Sequence, residues 1–256
     1  MIRFSRLLRC LALVSLAAVP LSSCSGLKAS AVPQSAFLEH GHELKPDSKH
    51  SPFLVDWTSP DAPATFKQRR TLYIAPVSLA YLRPMKRDMA KSEVTEEQRQ
   101  VAAKDLARYA NTKFAYAFEH SPAPCYKLVS RPAKDSLTLE LAFVELNPNP
   151  VKGGFLRTAI NAAAIPGVDS VLLKSLKGNI AIEGKVRDLA TKKTLYEFAD
   201  NQENKSALII SVNDFNTYGQ AHQAIDEWAP ETEELLRTAP DKKVNGSSAF
   251  VILPWH

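Results

Sequence analysis

The chain contains 256 residues, of which 45% are hydrophobic, 8% are aromatic and 23% are charged, and its formal net charge is +5. This composition is typical of a folded domain and excludes wholesale disorder, and the unpatterned glycines and prolines exclude collagen-like and low-complexity classes. The longest apolar run, of about ten residues, is too short to cross a bilayer as a helix.

The N-terminus has the order of residues that is typical of a secretory signal peptide. Three arginines and no acid lie within residues 1–9, and a compact apolar stretch follows at residues 10–19. The tetrapeptide Leu21-Ser22-Ser23-Cys24 comes next and resembles the lipobox of bacterial lipoproteins. This resemblance implies that residues 1–23 are removed and that the Cys24 thiol receives a diacylglycerol. An ordinary secretory signal with a coincidental cysteine is the alternative.

The predicted cleavage also changes the charge argument. Residues 1–23 hold three arginines and no other charged residue, so their removal lowers the formal net charge from +5 to +2. Because a nucleic-acid-binding domain needs a basic stripe, we expect no nucleic-acid partner. The short basic clusters at 67–70 and 83–87 are interpreted as solvated loop charges. Cys125 is the remaining thiol of the mature chain, and we expect it to be buried at the start of a strand.

Residues 24–68 are predicted to form a lipid-anchored tether followed by a docking segment. Five prolines in this region disfavour long helices and central strands. Two apolar groups, at 37–38 and 53–57, indicate that the segment packs back onto the domain. The α+β domain itself is predicted over residues 69–240, with a C-terminal tail at 241–256.

Within that domain the pattern of apolar residues predicts strands and helices in turn. The predicted strands cover 72–77, 125–129, 136–143, 180–186, 195–199 and 207–212, with a further pairing segment at 250–253. Thr95 with Gln98, and Thr217 with Gln220, have the spacing of capping boxes, so each pair is predicted to begin a helix. Pro230 is expected to kink the second helix or to start a new piece of it. Alternation over 136–143 predicts a strand with one exposed face.

These elements predict a single domain of the α+β class. A mostly antiparallel sheet of four or five strands would pack against two helices on one face, and the irregular tether would precede it.

The segment from 151 to 177 has two interpretations. It is rich in alanine and isoleucine, is interrupted at Pro166-Gly167 and is flanked by basic residues. Packing of its apolar side chains on the sheet is preferred. Alternatively, it contacts lipid headgroups or a partner protein, and the candidate contact residues are Phe155, Leu156, Ile160 and Ile165.

No catalytic or metal-binding pattern in the sequence is strong enough to predict a site. His40, His42 and His50 have no partner of fixed geometry for a metal ion, and two prolines separate His120 from Cys125. Glu183 and Arg187 are expected to form an ion pair on the polar face of a strand. Asp226 is interpreted as a surface acid and Trp228 as a core aromatic. We therefore predict no catalytic residue, no metal and no cofactor.

Several short segments, taken in their order along the chain, resemble a family of bacterial lipoproteins known as domain of unknown function 3313 (DUF3313). The segments are Ser35-Ala36-Phe37-Leu38 with Leu44, Val55-Asp56-Trp57, Ala75-Pro76-Val77, 178–188 and 224–229. The resemblance implies an envelope lipoprotein with a compact α/β domain, and it transfers no catalytic residue.

Three functional hypotheses follow. The preferred one is a non-enzymatic binding or assembly module, anchored by lipid in the bacterial envelope, with membrane lipid and an envelope protein as partners. Ser25, after the lipidated cysteine, is similar to the pattern of lipoproteins that reach the outer membrane and face the periplasm. The alternatives are a hydrolase of envelope material that uses acids such as Glu183 and Asp188, and an accessory subunit of an envelope transport complex.

Overall fold

The computed structural model describes residues 33–47, 49–85, 94–148, 179–203, 217–238 and 242–246. Within these residues lie six strands: β1 Val55–Thr58, β2 Thr71–Ile74, β3 Lys127–Leu128, β4 Leu137–Asn147, β5 Asn179–Asp188 and β6 Lys193–Glu203. The three α-helices are α1 Ala62–Gln68, α2 Glu96–Glu119 and α3 Gly219–Arg237, and a short 3-10 helix covers Gly41–Glu43. The predicted signal peptide, the lipobox and the 151–177 segment lie outside the described residues, as do the predicted strands at 207–212 and 250–253.

The strands form one mixed sheet in the order β1-β6-β5-β4-β2-β3. The predicted α+β class and single sheet are confirmed, and three of the five strand pairings are antiparallel, in keeping with the predicted mostly antiparallel sheet. The predicted four or five strands and two helices are too few, because six strands and three α-helices are described. β2 runs parallel to both β3 and β4, whereas β4, β5, β6 and β1 pair antiparallel. A parallel return needs a long crossover, and the 24-residue helix α2 between β2 and β3 supplies it.

One strand of the sheet, β1, comes from the predicted docking segment, where no strand was expected. Val55–Thr58 forms β1, which pairs antiparallel with β6 at one edge of the sheet. The outer side of β1 is partly covered, because the backbone groups of Asp56 exchange hydrogen bonds with those of Lys45, at 2.9 and 3.0 Å. The opposite edge of the sheet is β3, which is two residues long.

Strand β4 is buried on both faces, so the prediction of a strand with one exposed face is wrong. Leu137, Leu139, Leu141 and Phe143 face the main core, which α2 and α3 share. Ala142 and Val144 face a second, smaller apolar cluster built with Phe37 and Leu38. The sequence between 33 and 44 therefore covers the face that alternation alone left open to solvent.

The two long helices begin differently. Thr95 forms the predicted capping box with Gln98: the Thr95 side chain accepts from the Gln98 N–H and the Gln98 side chain accepts from the Thr95 N–H. The predicted box at Thr217 and Gln220 is wrong, because α3 begins at Gly219 after Tyr218 and no side-chain cap bond is present there. Helix α3 also continues through Pro230 as one element.

The predicted hairpin of β5 and β6 is confirmed and forms the centre of the sheet. Gly184 pairs directly with Phe198 across it. A Cβ atom at position 184 would lie 2.2 Å from a carbon of the Phe198 ring, which is itself stacked on Phe53 at 3.9 Å. Glycine is therefore required at 184, because the aromatic ring occupies the space of a side chain.

Candidate functional site

A cavity of about 450 Å³ opens between α1, the end of α3 and the sheet edge that β1 and β6 form. Its volume falls within the range of small-molecule sites, roughly 300–1,000 Å³. One part of its wall is formed by apolar and aromatic side chains, and they are Ala62, Pro63, Phe66, Tyr126, Leu235, Leu236 and Val244. Most of the other lining residues are polar or charged, so the site combines an apolar wall with several polar groups.

Local sequence explains how α1 contributes to this wall. Pro63 lies in the first turn of α1, where its missing N–H costs no helical hydrogen bond. The helix ends at Gln68 and the next residue, Arg69, is extended, so the chain turns from the cavity wall directly into β2. The hydroxyl of Tyr126 lies 3.4 Å from the Phe66 carbonyl oxygen and 3.5 Å from that of Leu236, and so it joins α1 to α3.

A polar cluster lies at the β1–β6 side of the cavity. Tyr196 is 4% exposed and donates to the Asp56 carboxylate at 2.9 Å, and the Ser51 hydroxyl lies 3.3 Å from the Tyr196 hydroxyl. Burial raises the pKa of Asp56, and the hydrogen bond from Tyr196 only partly offsets this. Burial likewise raises the pKa of Tyr196, so the phenol stays protonated and acts as a donor.

The rim of the cavity is basic. Lys67, Arg70 and Lys242 line it and are exposed, and no described acid forms an ion pair with any of them. Arg237 also lines it but is paired with Glu233 at 3.0 Å. The cavity's other acid, Asp47, is paired with His50 at 3.0 Å. The charges of the rim that lack a counter-ion within the described part of the chain are therefore positive.

On the opposite face of the sheet, two buried glutamates hold the N-terminal segment 33–45. Glu183 accepts from the N–H of Ser35 at 2.7 Å and from its hydroxyl. Glu197 accepts from the N–H groups of Glu39 and His40, each at 2.7 Å and each on a different carboxylate oxygen. Both glutamates are at most 1% exposed. We call this set of four bonds the glutamate clamp.

Burial raises the pKa of Glu183, and the bonds from Ser35 oppose that shift. Lys185, which pairs directly with Glu197 across β5 and β6, donates to the Phe37 carbonyl oxygen at 3.1 Å, and its ammonium lies 4.6 Å from the centre of the Phe37 ring. The clamp and this contact fix the segment over the second apolar cluster.

The expected ion pair between Glu183 and Arg187 is wrong. Arg187 faces Glu39 at 3.7 Å and Glu140 at 4.0 Å, while Glu183 bonds Ser35. The pattern of alternation placed the two side chains on one face correctly, but it carried no signal for the chain segment that lies over them.

Glu183 and Asp188 do not share a groove, which removes the basis offered for the hydrolase alternative. Asp188 is fully buried and lies on the helix-side face, where it accepts from the Arg69 Nε at 2.7 Å and Nη2 at 3.0 Å and from Thr191. Burial tends to raise the pKa of Asp188, but the bonds from Arg69 and Thr191 hold it below its ordinary value. Glu183 lies on the other face, in the glutamate clamp.

The histidines are engaged individually. His40 stacks on Trp57, with ring centres 3.7 Å apart, and bonds Glu43 at 3.0 Å. His120 stacks on Tyr116, and the half-buried Cys125 bonds the Ala123 carbonyl oxygen at 3.6 Å. Within the described ranges, no group of three or more His, Cys, Asp or Glu side chains is placed to hold a metal ion.

The surface acid and the core aromatic of α3 lie where they were predicted. Asp226 accepts from the Tyr109 hydroxyl at 2.8 Å and pairs with Lys113 at 2.8 Å. Trp228 is fully buried, and its indole N–H donates to Asp200 at 2.6 Å. Sequence reasoning did not find Asp200, because the tryptophan and the acid are 28 residues apart.

No helix of the described residues is long and apolar enough to cross a membrane. Leu21, Ser22, Ser23 and Cys24, and the candidate contact residues Phe155, Leu156, Ile160 and Ile165, lie outside the described residues. The flanks of the 151–177 segment are described: Asn147, at the end of β4, pairs with Asn179 at the start of β5.

A family model described as a protein of unknown function, DUF3313, matches residues 33–232. The chain belongs to the DUF3313 family. The match begins at the first residue of the N-terminal segment that the glutamate clamp holds, so the family's common region includes both the segment and the sheet. No curated protein sequence matches this chain.

Comparison with solved structures gives similarities at low sequence identity. The PelC dodecamer from Paraburkholderia phytofirmans is 8% identical, with a TM-score of 0.39, over 72% of this chain and 95% of that one. A PelC variant from the same organism is 7% identical, with a TM-score of 0.35, over 70% and 94% of the two chains. A Xanthomonas campestris protein of the DUF330 family model is 12% identical, with a TM-score of 0.35, over 75% and 94%.

The sequence did not predict the cavity. Its apolar wall takes three residues from α1, two from the end of α3, and one each from Tyr126 before β3 and from Val244, and in the sequence all of them look like ordinary core. The one local signal was the basic cluster at 67–70, which we interpreted as solvated loop charge. Lys67 and Arg70 are indeed exposed, but they lie at the mouth of the cavity.

Proposed function

We propose that this chain is a lipid-anchored, non-enzymatic binding module of a bacterial envelope. In this proposal the Cys24 thiol receives a diacylglycerol, residues 1–23 are cleaved, and the new amine of Cys24 is acylated. Ser25 directs the protein to the outer membrane, where the domain faces the periplasm. Each buried methylene contributes about 0.8 kcal/mol to membrane binding, and two or more chains hold a protein stably where one does not.

The lipobox-like tetrapeptide Leu21-Ser22-Ser23-Cys24 carries the anchoring part of the proposal, and the glutamate clamp limits how far from the bilayer the domain can lie. The chain from Cys24 to Pro33 spans nine residue steps, so at full extension it reaches about 30 Å. The clamp fixes the chain to the centre of the sheet from Ser35 onward. A lipid on Cys24 would consequently keep the domain within about one domain diameter of the bilayer.

The binding part of the proposal is supported by the cavity between α1 and α3 and by its basic rim. A partner protein or a lipid surface would meet the module through Phe155, Leu156, Ile160 and Ile165. The segment that holds these residues leaves and rejoins the sheet at adjacent positions, Asn147 and Asn179.

The experiment is fractionation of cells that express the full chain, combined with intact-mass spectrometry of the extracted protein. We expect the chain in the membrane fraction, with a mass that corresponds to cleavage before Cys24 and addition of lipid. Cys24→Ala should move the protein out of the membrane fraction. Cys10→Ala is the matched control, because that cysteine is removed with the signal, and it should leave membrane attachment unchanged.

Firm membrane attachment of the Cys24→Ala protein would overturn the proposal. So would recovery of a chain that keeps residues 1–23 in the soluble fraction.

A further inference from the structure

The cavity has room for one alkyl chain. Its volume of about 450 Å³ equals that of about 15 waters, at roughly 30 Å³ each. A methylene group is close to a water molecule in size, so the space holds a chain of roughly a dozen carbons. The apolar wall residues Phe66, Leu235 and Leu236 present carbon surface to such a chain.

The charge at the mouth selects the head group. Lys67, Arg70 and Lys242 are exposed at the rim, and no described acid pairs with them. The two acids of the cavity already have partners in its wall, because Asp56 accepts from Tyr196 and Asp47 pairs with His50. An uncharged or cationic head would leave these three cations without a counter-ion, whereas an anion would complement them.

We propose that this cavity binds a single-chain amphiphile whose head group is a carboxylate or a phosphate. The alkyl chain lies between α1 and the end of α3, and the head group contacts Lys67, Arg70 and Lys242 at the rim. This assignment rests on the proposed role as a binding module, and it names the class of ligand for that role.

Cys125 reports on occupancy, because it is half-buried and lines the same cavity. The test uses the full chain, extracted from cells and placed in phosphatidylcholine vesicles, and measures the rate at which iodoacetamide alkylates Cys125 by mass spectrometry of its peptide. The probes are palmitate, hexadecyl phosphate and hexadecanol, which share one chain and differ in the head group. We expect either anion to slow alkylation at least tenfold, and hexadecanol to need at least ten times the concentration for the same effect.

Chain length gives a second readout. Each methylene buried in the cavity should strengthen binding about fourfold, which is about 0.8 kcal/mol expressed at 1.36 kcal/mol per tenfold change. A series of fatty acids from eight to 18 carbons should therefore show rising protection that levels off at roughly a dozen carbons, when the cavity is full.

The variants separate binding to the rim from general electrostatics. The triple variant Lys67→Glu, Arg70→Glu and Lys242→Glu should require at least ten times more palmitate. The triple variant Lys104→Glu, Arg131→Glu and Lys134→Glu changes the net charge equally, at exposed residues that do not line the cavity. It should behave like the wild type.

Three results would overturn the proposal. One is equal protection by hexadecanol and palmitate, and another is full protection by palmitate in the rim variant. The third is protection that arises only after deletion of residues 247–256, because the occupant of the cavity would then be the chain's own C-terminal segment. In the Cys24→Ala protein in solution, palmitate should still protect Cys125 from alkylation. The test of the cavity therefore does not depend on the lipid anchor, and the two proposals can fail independently.

Discussion

The two glutamates of the clamp both hold the N-terminal segment, but they accept from different kinds of donor. Both oxygens of Glu197 accept from backbone N–H groups, which can only donate. One oxygen of Glu183 faces the Ser35 hydroxyl, which can donate or accept. This difference predicts a large loss of stability when one glutamate is replaced by glutamine and a small change when the other is.

Glu197→Gln should lower the free energy of unfolding by about 1–3 kcal/mol, because its amide NH₂ would face a backbone N–H that then has no acceptor. Glu183→Gln should change it by less than about 1 kcal/mol, since the serine hydroxyl can turn to accept from the amide. Urea unfolding followed by tryptophan fluorescence measures both. Equal losses in the two variants would show that the bonds are not arranged as described.

Asp56 predicts a pH dependence whose sign can be worked out. Because burial raises its pKa, the folded state binds the proton more tightly than the unfolded state, and ionisation costs stability as pH rises from about 4 through the raised value. Asp56→Asn cannot ionise but can still accept from Tyr196. Its stability relative to the wild type should therefore rise between about pH 3.5 and pH 7.

The measurement is urea unfolding of both proteins at several pH values in that interval. Asp105→Asn, which removes a carboxylate from an exposed ion pair with Arg108, controls for the loss of a surface charge. A relative stability of Asp56→Asn that falls as pH rises would contradict the assignment of Asp56 as a carboxyl disfavoured in its charged form.

At the scale of elements, the sequence predicted those strands and helices whose apolar residues recur at a regular spacing. The β5–β6 hairpin and α2 were found because each has a regular apolar period and a local start or stop signal. The start of α3 was misplaced because a threonine at the right spacing from a glutamine does not ensure that its side chain reaches the helix N-terminus. β1 was missed because it is four residues long and lies among prolines.

The contact between Gly184 and Phe198 ties the hairpin to the core. Gly184→Ala should lower the free energy of unfolding by about 3 kcal/mol, because the new methyl group would overlap the Phe198 ring. Adding Phe198→Leu should recover part of this loss, since the smaller side chain makes room for the methyl group. A double-mutant cycle measures the coupling, and additive effects of the two substitutions would contradict the described contact.

At the scale of the whole molecule, the least predictable features join residues that are far apart in the chain. The N–H of Ser35 is bonded by a carboxylate 148 residues later, and the cavity combines residues from 47 to 244. Local pattern reports period and propensity, so it carries no information about which segment will cover a face. Cys24 can be proposed as the lipid-attachment residue from the sequence, by contrast, because the residues that indicate it are its immediate neighbours.

The proposed anchor and the glutamate clamp should be separable. Cys24→Ala should release the protein from the membrane and leave its free energy of unfolding unchanged within about 0.5 kcal/mol, because surface changes away from packed features have effects of this size. Phe37→Ala with Leu38→Ala should do the reverse, lowering stability by at least about 3 kcal/mol through lost packing while the protein stays attached. Flotation of vesicles reads attachment, and urea unfolding reads stability. A Cys24→Ala protein that unfolds more easily would show that the lipid contributes to the fold.

The two edge strands of the sheet affect how the domain behaves at high protein concentration. Open strand edges recruit strands from other molecules and lead to fibrous association. Here one edge is two residues long, and the other already exchanges both backbone bonds of Asp56 with Lys45. Within the described residues, neither edge offers a long unpaired strand. Copies of the domain brought close together, as the proposed lipid anchor would bring them, would therefore find little template for strand exchange.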